Sequence, residues 1–259
     1  MFMLYSVKKY LHFRIHATNK HGVHSPFIYD LITKGFNKKL NPKFMQQIKT
    51  YKKDLFQNKD IINVTDFGTG SKVFKSTERP INKIAKNAGI SSKKIKLLLK
   101  ICTYFDFNSI LEIGTSLGIG TFTLSTGNPK AKITTLEGCP ETLKTAQKYL
   151  SKHGKSNINY VQGDFKNTLD LVLNQPYDLI YFDGNHQKNT TIEYFEKCLK
   201  VAHNNSIFIF DDIYWSKEMT EAWEYIKKHS KVTVTIDTFY FGIVFFRKEQ
   251  VKENFIIRT

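Results

Sequence analysis

From residue 109 onward the chain alternates between two hydrophobic patterns. Short, nearly continuous apolar runs at 109–113, 131–136, 157–162, 178–183 and 206–211 have the length of strands buried on both faces. Between them, 119–127, 140–152, 165–173 and 188–202 repeat apolar residues at helical spacing. Pro140 suits a first helical residue, and Gly154 suits a helix stop. This order predicts a parallel sheet with helices on both faces. A helix at 216–229 follows, then strands at 232–237 and 239–247 joined tightly at Asp237-Thr238, an antiparallel hairpin. The sum is a doubly wound, mostly parallel α/β sheet of seven strands.

The first ninety residues follow another pattern and predict a mainly helical extension over 1–90, separate from a domain over 91–259. Met1–Tyr10 is a short amphipathic start, and Ser25–Phe36 a helix. Residues 37–59 form a basic helix in which Phe44, Ile48, Tyr51 and Leu55 make a packing face. His12, His16, His21 and His24 suggest a metal site, but no helical pattern places them on one face. A structured loop is the favoured reading. Val64–Ser71 has an acid and two glycines, as a nucleotide loop would. The charged residues after it lack an apolar period, so it reads as a flexible loop that could act as a lid. Ser91 or Ser92 caps a helix to about Phe105, with Ile95, Leu98, Leu99 and Cys102 on its apolar face.

Charge separates the same two parts. The formal net charge is +16, and all of it falls in residues 1–100, with 21 Lys/Arg against 5 Asp/Glu. Residues 101–259 hold 18 of each. An anionic partner at the N-terminal region is therefore one expectation. A solvated lysine face is the other, since 35 of the 39 basic residues are lysine. A homodimer stays open. No apolar run is long enough to span a bilayer, so no membrane partner is expected. Three cysteines without metal spacing and the absence of a signal-peptide pattern suggest reduced thiols in the cytoplasm.

Candidate chemistry collects at the carboxyl ends of the strands, where such sheets bind ligands. Residues 109–121 read SILEIGTSLGIGT: a buried strand carrying Glu112, a turn with Gly114, Gly118 and Gly120, then a helix start. The second strand ends at Glu137, suited to ribose hydroxyls. The third ends at Gly163-Asp164-Phe165, a carboxylate for an adenine amino group beside an aromatic wall. The fourth ends at Asp183-Gly184-Asn185-His186, and the fifth at Asp211-Asp212. Any one of these acids could instead cap a helix or bond loop amides.

EIGTSLGIGT, TLEGCPE, QGDF, YDLIYFDGNH and IFDDIYW, in this order and followed by the hairpin, resemble the class I S-adenosylmethionine-dependent methyltransferases over residues 109–247. The branch most resembled is that of small-molecule O-methyltransferases of the catechol type. HGVHSPFIYDL is similar to the N-terminal extension of a bacterial group. The resemblance implies a Rossmann-like fold, with the extension covering the acceptor side and deletable without loss of a cofactor-binding core. It implies that Glu112, Gly114, Thr115, Gly118, Glu137, Gly138, Asp164, Phe165 and Asp183 hold S-adenosylmethionine. The metal-dependent branch implies Mg²⁺ or Ca²⁺ on Asp183, Asp211 and Asp212, with the usual asparagine replaced by aspartate. Where that branch has a lysine base this chain has His186, which would act as catalytic base beside Asp183.

The expected reaction is methyl transfer to the hydroxyl of a small-molecule acceptor. An RNA methyltransferase using the basic region is the alternative, although DGNH is not the motif of exocyclic amine methylation. A non-catalytic, cofactor-binding interaction module is a third reading, opposed by the full row of acids.

Overall fold

The computed structural model describes residues 2–67 and 76–259. Its contacts gather into two compact units, Lys39–Val172 and Met1–Lys38 with Leu173–Thr259. The boundary expected at residue 90 thus falls inside the first of these. Among the described residues of the chain the main sheet has eight strands, one more than expected, and is mostly parallel.

The unit Lys39–Val172 contains α3 (Pro42–Gln57), β1 (Ile61–Asn63), β2 (Glu78–Pro80), α4 (Ile81–Asn87) and α5 (Ser92–Phe105). Then come β3 (Ser109–Ile113), α6 (Ile119–Gly127), β4 (Lys132–Glu137), α7 (Pro140–Lys152), β5 (Ile158–Gln162) and α8 (Phe165–Val172). β3, β4 and β5 pair in parallel, with Glu112 opposite Thr135 and Thr135 opposite Tyr160. β3 is buried, as its unbroken apolar pattern requires, whereas β5 is half-exposed. Asn41 caps α3 through Lys43 N, and Pro42 stands in its first turn. Of the face expected on α3, Ile48, Tyr51 and Leu55 are buried and Phe44 is partly exposed.

α3 joins this unit because Tyr51 packs on α6. Its ring stacks on Phe122 with centroids 4.4 Å apart, and its hydroxyl donates to the Leu117 carbonyl at 2.8 Å. The β1–β2 pair and α4 were not anticipated. Three-residue strands give too little alternation to read, and Glu78-Arg79-Pro80 carries no strand pattern.

The other unit contains α1 (Phe2–His16), α2 (Pro26–Asp30, continued by a π turn over Leu31–Phe36), β6 (Leu179–Phe182), α9 (Lys188–Cys198) and β7 (Ile207–Asp211). α10 (Lys217–Lys228), β8 (Val234–Asp237), β9 (Phe241–Phe245) and β10 (Glu253–Ile256) complete it. β6 and β7 are parallel and wholly buried; β9 runs antiparallel to both β7 and β8. The hairpin turn is longer than expected. Thr238–Tyr240 connect the strands, Phe239 has a φ of 66°, and its amide is held by Asp237 Oδ1 at 2.7 Å. β10 lies parallel to β8 as the eighth strand. It hides in a charged segment because an edge strand needs only one apolar face, here Phe255 with neighbouring Ile257. α1 extends beyond the short start expected and places His12 and His16 on a helix, their rings stacked at 4.0 Å.

Candidate functional site

The glycine turn after β3 is shaped by backbone bonds. The amides of Gly114 and Thr115 both donate to the Leu136 carbonyl, at 3.1 and 3.0 Å. Gly114 has a φ of 109°, which a side chain would strain. At Gly118 (φ 74°) the constraint is also space. A Cβ there would lie 2.9 Å from both Leu150 Cδ1 and Tyr51 Oη.

Glu137 joins β4 to this turn. Its Oε2 accepts from Ser116 N at 2.8 Å, and its Oε1 from Cys139 N at 2.9 Å. Burial pushes its carboxyl up, and those amides, with that of Gly138, pull it back down. The carboxylate is thus fixed at the end of β4 with lone pairs to spare, as ribose hydroxyls would require.

Glu112 sits behind the turn and is fully buried. Its Oε2 accepts from Thr121 Oγ1 at 2.5 Å and Thr135 Oγ1 at 2.6 Å. Its Oε1 has no partner, and neither has the buried hydroxyl of Tyr160, two strands away in the same row. Burial raises the Glu112 carboxyl to about 7, against the two threonine bonds. Tyr160 is pushed up to about 12 by burial and by Glu112. Two orphaned polar atoms in one row call for a bridging polar partner.

Thr115 turns inward, its Oγ1 2.6 Å from Thr135 Oγ1 and 3.1 Å from the Leu136 carbonyl. It shapes the turn through its side chain. Asp164 Oδ1 accepts from Lys166 N at 3.1 Å, and its carbonyl takes the amides of Asn167 and Thr168. It therefore caps α8, the structural role weighed for each of these acids, and Phe165 opens that helix.

The sequence pattern of Val64–Ser71 is that of a flexible loop that could act as a lid. Gly68–Ser71 lie outside the described residues, but Thr65 and Phe67 reach Cys139 and Gly138 after β4. Thr65 N donates to Cys139 Sγ at 3.5 Å. The Phe67 ring covers Gly138 so closely that a Cβ there would fall 2.5 Å from its Cδ2. Asp66 pairs with buried Arg79 through both carboxylate oxygens. The only signal in the sequence was an acid and an arginine thirteen residues apart, which spacing alone cannot pair.

The acids after β6 and β7 belong to the other unit. The Tyr181 hydroxyl lies 3.2 Å from Asp183 Oδ2 and 3.5 Å from Asp211 Oδ2, and brings the two acids together. Asp211 Oδ1 accepts from Asp212 N at 2.7 Å. Asp212 has a φ of 53°, and its carbonyl takes the Trp215 amide at 2.8 Å, so it acts as a turn residue. His186, with a φ of 32°, stands with its ring centroid 6.3 Å from that of Trp215. It does not cap α9: Gln187 holds that position, without a side-chain bond.

Among the described residues no group of three or more His, Cys, Asp or Glu is placed to hold a metal ion. The Mg²⁺ or Ca²⁺ expectation on Asp183, Asp211 and Asp212 thus finds no preformed donor set. One Asp211 oxygen is engaged by a backbone amide, and the other faces the Tyr181 hydroxyl. The same finding applies to the four histidines near the N-terminus.

Residues 111–213 match the model of a methyltransferase domain. A catechol O-methyltransferase of Mycobacterium tuberculosis is 25% identical over 126 residues, 48% of this chain and 56% of that protein. A protein-L-isoaspartate O-methyltransferase of Methanococcus maripaludis is 35% identical over 85 residues, 31% of this chain and 39% of that protein. The chain thus spans about half the length, or less, of these curated relatives. An SAH-bound methyltransferase of Podospora anserina shares the fold, with a TM-score of 0.60 at 14% identity over 87% of this chain and 98% of that one. The domain match is thus confined to residues 111–213, and the likeness to the solved methyltransferase is one of fold.

Proposed function

We propose that the chain transfers a methyl group from S-adenosylmethionine to the hydroxyl oxygen of a small molecule. The observation that carries this reading is Glu137. It is fixed between the glycine turn and the start of α7 by two backbone amides, a rigid carboxylate beside a close-approach backbone. A catechol O-methyltransferase among the relatives points to a hydroxyl acceptor. S-adenosylmethionine supplies an electrophilic methyl on a sulfonium. The acceptor oxygen forms a bond to that carbon as the carbon–sulfur bond breaks, the electron pair stays on sulfur, and the hydroxyl proton goes to a base.

Glu137 would take the ribose hydroxyls, Gly114 and Gly118 would admit the ligand to the backbone, and Phe67 would border the nucleoside at Gly138. Asp164, Phe165 and Asp183 keep their assignment to the cofactor within this proposal. His186 is the proposed base, held by a left-handed backbone beside Trp215. Most of the rate would come from in-line placement.

Calorimetry tests the cofactor half. S-adenosylhomocysteine should bind with micromolar affinity, and Glu137→Ala should weaken it by about 1–3 kcal/mol. Methylation of a panel of small phenols tests the other half. His186→Ala should lower turnover by about 10²–10⁴-fold with binding of S-adenosylhomocysteine intact. Absence of binding removes the whole reading, whereas binding without turnover on phenols removes only the acceptor class.

A further inference from the structure

Helix α1 carries apolar side chains on two opposite sides. On one, Phe13 is buried against Phe239 and Tyr10 meets the edge of the same ring at 4.9 Å. The Tyr5 hydroxyl donates to Thr220 Oγ1 at 2.9 Å, and the Ser6 hydroxyl to the Tyr214 carbonyl at 3.1 Å. These contacts fix the helix and its orientation. On the other side Leu4, Val7, Leu11 and Ile15 are 76%, 50%, 57% and 79% exposed. Their spacing of three, four and four residues places them in one stripe, roughly 16 Å long at 1.5 Å per residue. A helix docked by one face normally turns a polar face outward, and this one turns leucine, valine and isoleucine outward.

The flanks of the stripe are cationic. At about 100° per residue, Lys8 lies on one side of the stripe and Arg14 on the other, both exposed. The guanidinium of Arg258 donates to the Arg14 carbonyl at 3.0 Å, which adds a third cation near the end of the helix. No acidic residue occurs before Asp30. An apolar strip edged by cations is the pattern of a helix lying in the plane of a membrane interface. A second copy of this chain fits poorly, because stripe-to-stripe pairing would bring Lys8 and Arg14 against the same cations.

We propose that α1 is a peripheral docking surface for an anionic phospholipid bilayer. Leu4, Val7, Leu11 and Ile15 enter the acyl boundary, while Lys8 and Arg14 meet the headgroup phosphates. Among the described residues no helix is long and apolar enough to cross a membrane, so the contact lies on the bilayer surface.

Sedimentation of the full chain with unilamellar vesicles tests this. One vesicle population is phosphatidylcholine alone, and the other contains roughly one-third phosphatidylglycerol. Binding to the anionic vesicles should be at least about tenfold tighter and should weaken with added salt. Leu11→Gln/Ile15→Gln removes apolar surface without changing charge, and Lys8→Gln/Arg14→Gln removes charge without touching the stripe. Each pair should cut binding by about tenfold or more with an unchanged circular dichroism spectrum, since all four positions are exposed. The proposal is overturned if the wild type ignores anionic vesicles at low salt. It is also overturned if Leu11→Gln/Ile15→Gln binds as well as wild type, because the surface is then merely basic. A wild-type dimer that this apolar variant dissolves, without vesicle binding, would assign the stripe to a second copy instead.

Discussion

The unit Lys39–Val172 and the unit formed by the two ends of the chain position their candidate groups differently. In the first, Glu137 and the glycine turn are tied together through main-chain atoms: Ser116 N and Cys139 N on Glu137, and Gly114 N and Thr115 N on the Leu136 carbonyl. In the second, a side chain, the Tyr181 hydroxyl, lies within 3.5 Å of both Asp183 Oδ2 and Asp211 Oδ2. Main-chain ties depend on where glycine is allowed and survive many changes of side chain. A single phenol bridging two carboxylates can be lost by one substitution.

The largest effect that would break this contrast concerns α3, the part of the extension that buttresses the glycine turn. Tyr51 is fully buried, stacked on Phe122, and bonded to the Leu117 carbonyl. Tyr51→Ala should destabilise the fold by about 3–5 kcal/mol, as for other buried aromatics cut to alanine. Tyr51→Phe, which removes only the hydroxyl, should cost about 0.5–1.5 kcal/mol. Chemical denaturation measures both. Deleting residues 1–90 should correspondingly fail to leave an intact cofactor-binding core, contrary to the reading of that segment as a separable cap. A soluble, S-adenosylhomocysteine-binding fragment 91–259 would restore it.

Somewhat smaller is the pH effect of Glu112. Burial lifts its carboxyl from 4.5 to about 7. The unfolded chain releases this proton near pH 4.5 and the folded chain near 7, so between them the folded state holds more protons. Stability therefore falls as pH rises through that window, by on the order of 3 kcal/mol from this group, and is flat in its contribution outside it. Denaturation midpoints of the wild type should decline from pH 4.5 to 8, whereas those of Glu112→Gln should decline much less. Parallel declines would move the effect to Glu137 and Asp237, whose carboxyls burial also raises.

How much was legible follows the same contrast. β3, α6 and α7 stand where the hydrophobic pattern put them, because unbroken apolar runs, a proline start and glycine stops act locally. Glu137 was found because a strand ends there. The role of Phe67 was hidden, since a ring that covers Gly138 from seventy-one residues away leaves no periodic trace. β10 was hidden by its edge position, and the link through Tyr181 by the habit of reading an inward strand residue as core. The resemblance to a metal-dependent branch implied a metal on Asp183, Asp211 and Asp212, but a resemblance does not reveal that an amide and a phenol face the Asp211 oxygens.

The smallest effect is also the most selective. Tyr181 is wholly buried on β6, so Tyr181→Phe keeps its ring packing and deletes only the hydroxyl shared by Asp183 Oδ2 and Asp211 Oδ2. The loss of stability should be about 1 kcal/mol, the net worth of a modest hydrogen bond. Asp183 is assigned both to the acceptor chemistry and to the cofactor, and the variant separates these roles. If its place is with the acceptor, freeing the two carboxylates should lower turnover on a phenol several-fold while the calorimetric affinity for S-adenosylhomocysteine stays within about twofold. A matching fall in affinity would place Asp183 on the cofactor instead. The side-chain tie at Tyr181 would then serve the cofactor rather than the acceptor, and the contrast would fail at Asp183.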